Sequence, residues 1–144
     1  SELQSRCEIM LENYCKAVII EANTMVDMAR KQILPAVEGY AAELAASLAA
    51  KKAVAPNLAC AYEAGLVTKL SGLTDQIAEK TDELESAVLE LKNAEDAKEE
   101  AFAIRDTILG KMAALRAVAD EAETQTSSDY WPFPTYGDLL FGVK

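Results

Sequence analysis

Few residues of the types that carry catalytic chemistry occur in this chain, and fewer stand at working spacings. Histidine is absent from all 144 residues. That removes imidazole acid–base catalysis, histidine–metal sites and serine– or cysteine–histidine nucleophiles together. Cys7, Cys15 and Cys60 form no C-x-x-C pair. Cys7 and Cys15 would stand about 12 Å apart on one helix at 1.5 Å per residue, too far to bridge. Reduced thiols packed as small apolar groups are expected, in a cytoplasmic setting. Carboxylates are plentiful, but the di-metal helical bundle needs Glu-x-x-His on two helices, which this chain lacks. Gly110-Lys111 stands alone, with no phosphate-cradling G-x-x-x-x-G-K-[ST] around it. Arg6, Arg30, Arg105 and Arg116 could hold an anionic substrate only if the fold brought them together, and helical phase sets Arg6 and Arg30 away from the first helix's main stripe. No catalytic, cofactor-binding or metal site is expected within these residues.

The elements behind those residues read as helix. Net charge is −10, and residues 75–123 hold fourteen acids against six bases, so most of the excess lies there. Binding to nucleic-acid phosphates or to an anionic membrane surface is not expected of such a chain. Apolar content is 51%, much of it alanine, which favours long close-packed helices. No signal peptide and no uninterrupted apolar run of spanning length is apparent.

From residue 2 to about 52, Leu3, Cys7, Met10, Tyr14, Ala17, Glu21, Met25 and Met28 recur every three or four residues, with Leu11 and Val18 widening the stripe. Pro35 predicts a kink or short break near Gln32 to Pro35. The stripe resumes as Val37, Tyr40, Leu44 and Leu48. Ala55-Pro56-Asn57 marks a turn. A second helix, 57–92, carries a heptad of Leu70, Ile77, Leu84 and Leu91, with Leu66, Leu73, Lys80 and Ala87 at the offset position. Gly65 and Gly72, seven apart, predict close approach of a neighbouring backbone. A hairpin is preferred at 93–96, where Glu95 and Asp96 suit a helix start. The heptad can also be threaded straight through to Ala101 and Ile108 as one helix. A third helix, 96–123, points Ala101, Ile104, Ile108, Met112, Leu115, Val118 and Ala122 inward, flanked by Phe102 and Leu109. Arg116 and Asp120, four apart, could pair on its surface. Glu21 and Lys80 are polar intrusions expected to snorkel or to set helix register.

Taken together, the spacings predict an all-α fold: three long antiparallel helices running up, down and up, followed by a proline- and aromatic-rich tail over 129–144. Five of the nine aromatics fall in that tail. Pro132 and Pro134 favour an extended path there. An apolar strip of this size must lie on some surface, at about 25 cal/mol per Å² removed from water. Trp131, Phe133, Tyr136, Leu139, Leu140 and Phe141 are therefore the candidate packing or oligomer anchor.

The tail Trp131-Pro132-x-Pro134-Thr135-Tyr136-x-x-Leu139-Leu140-Phe141 closely resembles the carboxyl terminus of type III glutamine synthetases, the large bacterial form. Met112-x-x-Leu115-Arg116 with Asp120 and Glu123 is similar to that family's last helix. Ser5-Arg6, Glu12, Tyr14, Ile20-Glu21, Leu34-Pro35-Ala36 and Tyr40 resemble its approach to that region. Residues 53–98 agree only in helical character and length, and Gly110 stands where the family would have proline. The resemblance implies a C-terminal piece of an ATP-dependent glutamate–ammonia ligase. The parent would bind ATP and Mg²⁺, form γ-glutamyl phosphate and capture ammonia for nitrogen assimilation. The family's catalytic motifs lie upstream, so the piece itself is expected to be inactive and to serve as a structural or subunit-contact element of a large homo-oligomer. An unrelated acidic helical interaction module is the alternative reading.

Overall fold

The computed structural model describes residues 1–134. Three helical rods pack side by side, and no strand occurs among the described residues. The first rod, the spine, consists of α1 (Glu2–Met28) and α2 (Leu34–Val54), joined by a π-turn over Ala29–Ile33. Its 53 residues span about 80 Å at 1.5 Å per residue. Ser1 starts it, its hydroxyl accepting from the Gln4 amide at 3.2 Å. The rod ends at Val54, beside Pro56.

Pro35 does not break the rod. The Leu34 amide donates to the Ala29 carbonyl five residues back, one more than in an α-helix. That widened turn sits just upstream of the proline, which occupies the first turn of α2, where a missing amide donor and a fixed φ cost least. The third rod repeats the device. Its α4 (Ala97–Ala103) and α5 (Leu109–Gln125) are joined by a π-turn over Ile104–Ile108, with the Leu109 amide donating to the Ile104 carbonyl.

The middle rod, α3 (Ala61–Glu90), is uninterrupted and packs against α2, α5 and α1. It begins at Ala61, later than the spacing predicts. Residues 55–60 form a turn in which the Leu58 amide donates to the Ala55 carbonyl at 3.0 Å, and Cys60 sits in left-handed backbone at φ 48°. A single 3₁₀ turn, Leu91–Asn93, closes α3. Asp96 then caps α4, its carboxylate accepting from the Glu99 amide at 2.8 Å. The chain therefore reverses at 93–96, as the preferred reading has it, and the threaded single helix is excluded.

The core runs along α3. Leu70, Leu73, Ile77, Leu84, Ala87 and Leu91 are all buried, as the heptad requires. Thr81 and Val88 widen the stripe because α3 has neighbours on more than one side; the Thr81 hydroxyl donates to the Ile77 carbonyl at 2.7 Å and so enters the core satisfied. Lys80, at a heptad offset, is only half-buried and reaches Glu83 at 3.6 Å. From the third rod, Ile104, Ile108, Met112, Leu115 and Ala122 are buried, and Phe102 and Leu109 flank them exposed.

Two expectations fail. Gly65 and Gly72 lie exposed on the outer face of α3, and a Cβ at either would meet nothing within 4 Å. They admit no close neighbour. Of the predicted stripe the spine fully buries Val18 and Val37, and its other buried residues, Cys15, Ala22, Val26 and Ala29, lie off that stripe. Leu3, Met10, Tyr14 and Glu21 are exposed, about a quarter-turn round the helix from the buried line.

By length and composition the Glu2–Val54 helix would also pass for a membrane span, at a mean hydropathy of 1.2 over its most apolar window. No uninterrupted apolar run announces it. The value reflects alanine-rich sequence, and Glu38 and Glu43 stand exposed on α2.

Candidate functional site

Three features outside the core could carry function: the charged side chains, the tail and the uncovered face of α1. The ion pairs fall into links between rods and pairs within one rod. The Arg30 guanidinium, at the π-turn of the spine, reaches Glu85 at 2.5 Å and Asp82 at 2.7 Å on α3, a forked contact that raises its pKa further and holds the Glu85 carboxyl below the usual range. Lys51 bridges to Glu63 at 2.8 Å across the α2–α3 turn, which lowers the Glu63 pKa. Lys69 faces Glu121 at 3.8 Å, and Arg116 faces Glu21 at 3.9 Å. The Arg116–Asp120 pairing expected along α5 gives way to this cross-helix contact, which also gives Glu21 a partner at the surface. Arg6 bonds Glu2 at 2.8 Å, and Arg105 bonds Asp106 at 3.1 Å while lying over the Phe102 ring. The four arginines thus sit at four separate places, and no shared anion site forms among them.

Among the described residues no three His, Cys, Asp or Glu side chains gather where they could hold a metal ion. The Cys15 thiol is buried against the start of α4. Burial first, and then Glu100, push its pKa up, which keeps it an unreactive thiol.

The described part of the tail, residues 129–134, folds back on this chain. After α5, the Tyr130 and Trp131 amides both donate to the Ser127 carbonyl, at 2.9 and 3.2 Å, and turn the backbone toward the spine. Trp131 is 5% exposed and belongs to the core. Phe133 is half-buried and meets Trp131 edge to face at 6.2 Å. Both line a crevice of about 270 Å³ with Met25, Met28, Ile33 and Leu115, between the spine and α5. Tyr136, Leu139, Leu140 and Phe141, the other candidate anchors, lie outside the described residues.

Tyr130, which heads the aromatic run, makes a contact that its spacing does not announce. Its ring stacks at a tilt on Tyr40, 5.3 Å between centroids, and its hydroxyl donates to the Glu43 carboxylate, which raises its pKa. Gly39 lies under the same ring. The only sequence signal was Tyr40 on the stripe that resumes after Pro35.

The third feature is an apolar face with nothing over it. Leu3, Cys7, Met10 and Tyr14 line one side of α1, with Leu3 74% and Met10 69% exposed. Beside them a groove of about 560 Å³ runs between α1 and the start of α4, bordered by Glu8, Glu12, Glu95 and Asp96.

These features define a helical module whose distinctive parts are surfaces and packed aromatics. The family model for the glutamine synthetase C-terminal domain matches residues 1–52, which is nearly the whole spine. The chain is 33% identical over 143 residues to a glutamine synthetase of Butyrivibrio fibrisolvens, an alignment covering 99% of this chain and 20% of the relative. It is 28% identical to a glutamine synthetase of Bacteroides fragilis (strain YCH46), over 98% of this chain and 20% of the relative. A type-3 glutamine synthetase of Dictyostelium discoideum is 26% identical over 97% of the chain, again 20% of its own length. Residues 1–52 thus match the glutamine synthetase C-terminal domain family, and the chain as a whole spans about a fifth of the length of the curated relatives it matches.

Proposed function

We propose that these residues form a non-catalytic, structural or subunit-contact region of a longer glutamate–ammonia ligase. The observation that carries this reading is the alignment: essentially the whole chain is matched, and each time by a fifth of a glutamine synthetase. The arrangement of side chains agrees with a supporting role. Arg30, Lys51, Lys69 and Arg116 are engaged in ion pairs between rods, and the main apolar features are packing surfaces. In this reading ATP and Mg²⁺ belong to the parent, which supplies phosphoryl activation of glutamate before ammonia attack, and no residue of this chain is assigned to hold them. The neighbouring subunits of a homo-oligomer are the expected partners, in the cytoplasm.

Sedimentation and glutamine-synthesis assays on the parent, with and without residues 1–144, test the proposal. The full-length enzyme is expected to form a large assembly that truncation reduces to smaller species, while the isolated chain is helical and makes no glutamine. Turnover by the isolated chain, or an upstream reading frame that encodes no synthetase core, overturns it.

A further inference from the structure

The uncovered face of α1 continues a line of side chains that is already in use. Leu3, Cys7, Met10, Tyr14, Met25 and Met28 share one side of the helix by their three-and-four spacing. At its far end Met25 and Met28 are half-buried in the crevice that Trp131 and Phe133 line. At its near end the line has no cover: the neighbour there is the α3–α4 reversal, and an open groove lined by Gln4, Cys7, Glu8, Glu95, Asp96 and Lys98 separates the two. The Cys15 thiol, 3.8 Å from the Ala97 carbonyl, marks where α1 and α4 first close on one another. Every residue from Ser1 to Met10 is exposed. A helix end so sparsely packed is marginal in water.

We infer that this uncovered face is the docking site for a segment of the parent chain upstream of these residues, an apolar stripe bordered by lysine or arginine. The inference rests on the reading that the chain is part of a longer synthetase. Two observations choose this occupant. Four-fifths of each relative's length lies outside the part this chain matches, so ample surface exists to cover the face. The flanking groove is acidic, with Glu8, Glu12, Glu95 and Asp96 against Lys98 alone, and an apolar stripe with a basic border complements it.

Amide hydrogen exchange through residues 2–14 tests this, measured in the full-length parent, in isolated 1–144 and in 1–134. Exchange is expected to be about tenfold or more slower in the parent than in either isolated chain. Met10→Asp should abolish that protection in the parent while leaving the helical circular dichroism of isolated 1–144 unchanged. Equal, fast exchange in all three overturns the inference. So does slow exchange in 1–144 that is lost in 1–134, which would place residues 135–144 on the face. Concentration-dependent protection of 1–144 alongside a dimer in sedimentation would place a second copy there and also overturn it. An upstream frame without a synthetase core defeats the parent reading by itself, whereas a synthetase parent with unprotected residues 2–14 defeats only this inference.

Discussion

α3 and α1 are nearly equal in length, 30 and 27 residues, yet they use their apolar side chains in opposite ways. α3 has a neighbour along each flank and buries most of the large apolar residues it owns; Leu66 and Val67 are half-buried, and Leu89, near its end, and Tyr62, in its first turn, are exposed. α1 carries two apolar lines. One, from Cys15 through Val18, Ala22 and Val26 to Ala29, meets the bundle, and it is built of small residues that let the rods approach closely. The other holds the larger side chains and is covered only where the tail crosses it. In this molecule residue size is a poor guide to which line is core. The number of neighbouring rods at each level decides it, and over the first three turns of α1 the start of α4, across an open groove, is the neighbour.

The contrast is tested most severely by matched truncations. Leu84→Ala, at a fully buried position of α3, should destabilise the chain by about 3 kcal/mol, through lost transfer energy and the cavity left behind. Met10→Ala removes a side chain of similar size from α1 and should change stability by less than about 0.5 kcal/mol. Urea unfolding followed by circular dichroism measures both. Equal losses would mean that the near end of α1 is packed in the isolated chain after all.

How far spacing alone reaches follows from the same contrast. The heptad of α3 and the inward line of the third rod are readable because a helix with neighbours on several sides has one broad apolar face and no competing one. The reversal at 93–96 is readable because Glu95 and Asp96 suit a helix start, and in the structure Asp96 caps α4 by accepting from the Glu99 amide. On α1 the periodicity finds a real line of side chains but not the core line, since alanine and cysteine score weakly beside methionine, leucine and tyrosine. Gly65 and Gly72 mislead for a related reason: seven-residue spacing places them on one face without saying that the face looks outward. Pro35 marks the place of the irregularity, which the structure realises as a π-turn and not as a break; a π-turn leaves no periodic trace. The apolar composition of the tail says only that its aromatics need a surface, and Trp131 and Phe133 lie on one. Their bed in the crevice between the spine and α5 depends on contacts about a hundred residues apart, which spacing cannot supply.

The covered half of the second line offers the next test. Trp131→Ala should cost about 2 kcal/mol, below the usual range for a buried tryptophan because the end of the chain regains freedom when it is released. The same variant should raise the exposure of Met25 and Met28, read as faster sulfoxide formation under mild peroxide. Unchanged stability would mean that the spine does not need the tail, and that the exposed and covered halves of the line differ in appearance only.

The smallest effect concerns the fork that fastens the spine to α3. Arg30 lies at the π-turn, where widened backbone and a nearby proline leave the rod least regular, and it grips α3 through Glu85 and Asp82. The Glu85 carboxyl titrates below its ordinary value because Arg30 bonds its charged form. A carboxyl whose pKa is lower in the folded than in the unfolded state binds fewer protons when folded. Its contribution is therefore complete above the unfolded value, about 4.3, and is lost as pH falls through the lowered folded value. Exposure and salt keep it slight. Glu85→Gln should leave a chain whose melting temperature declines less steeply below pH 4.3 than that of the parent sequence, with the difference shrinking as salt is raised. Parallel acid profiles in low salt would show that the fork contributes nothing at the π-turn, and that apolar packing alone holds the spine to α3.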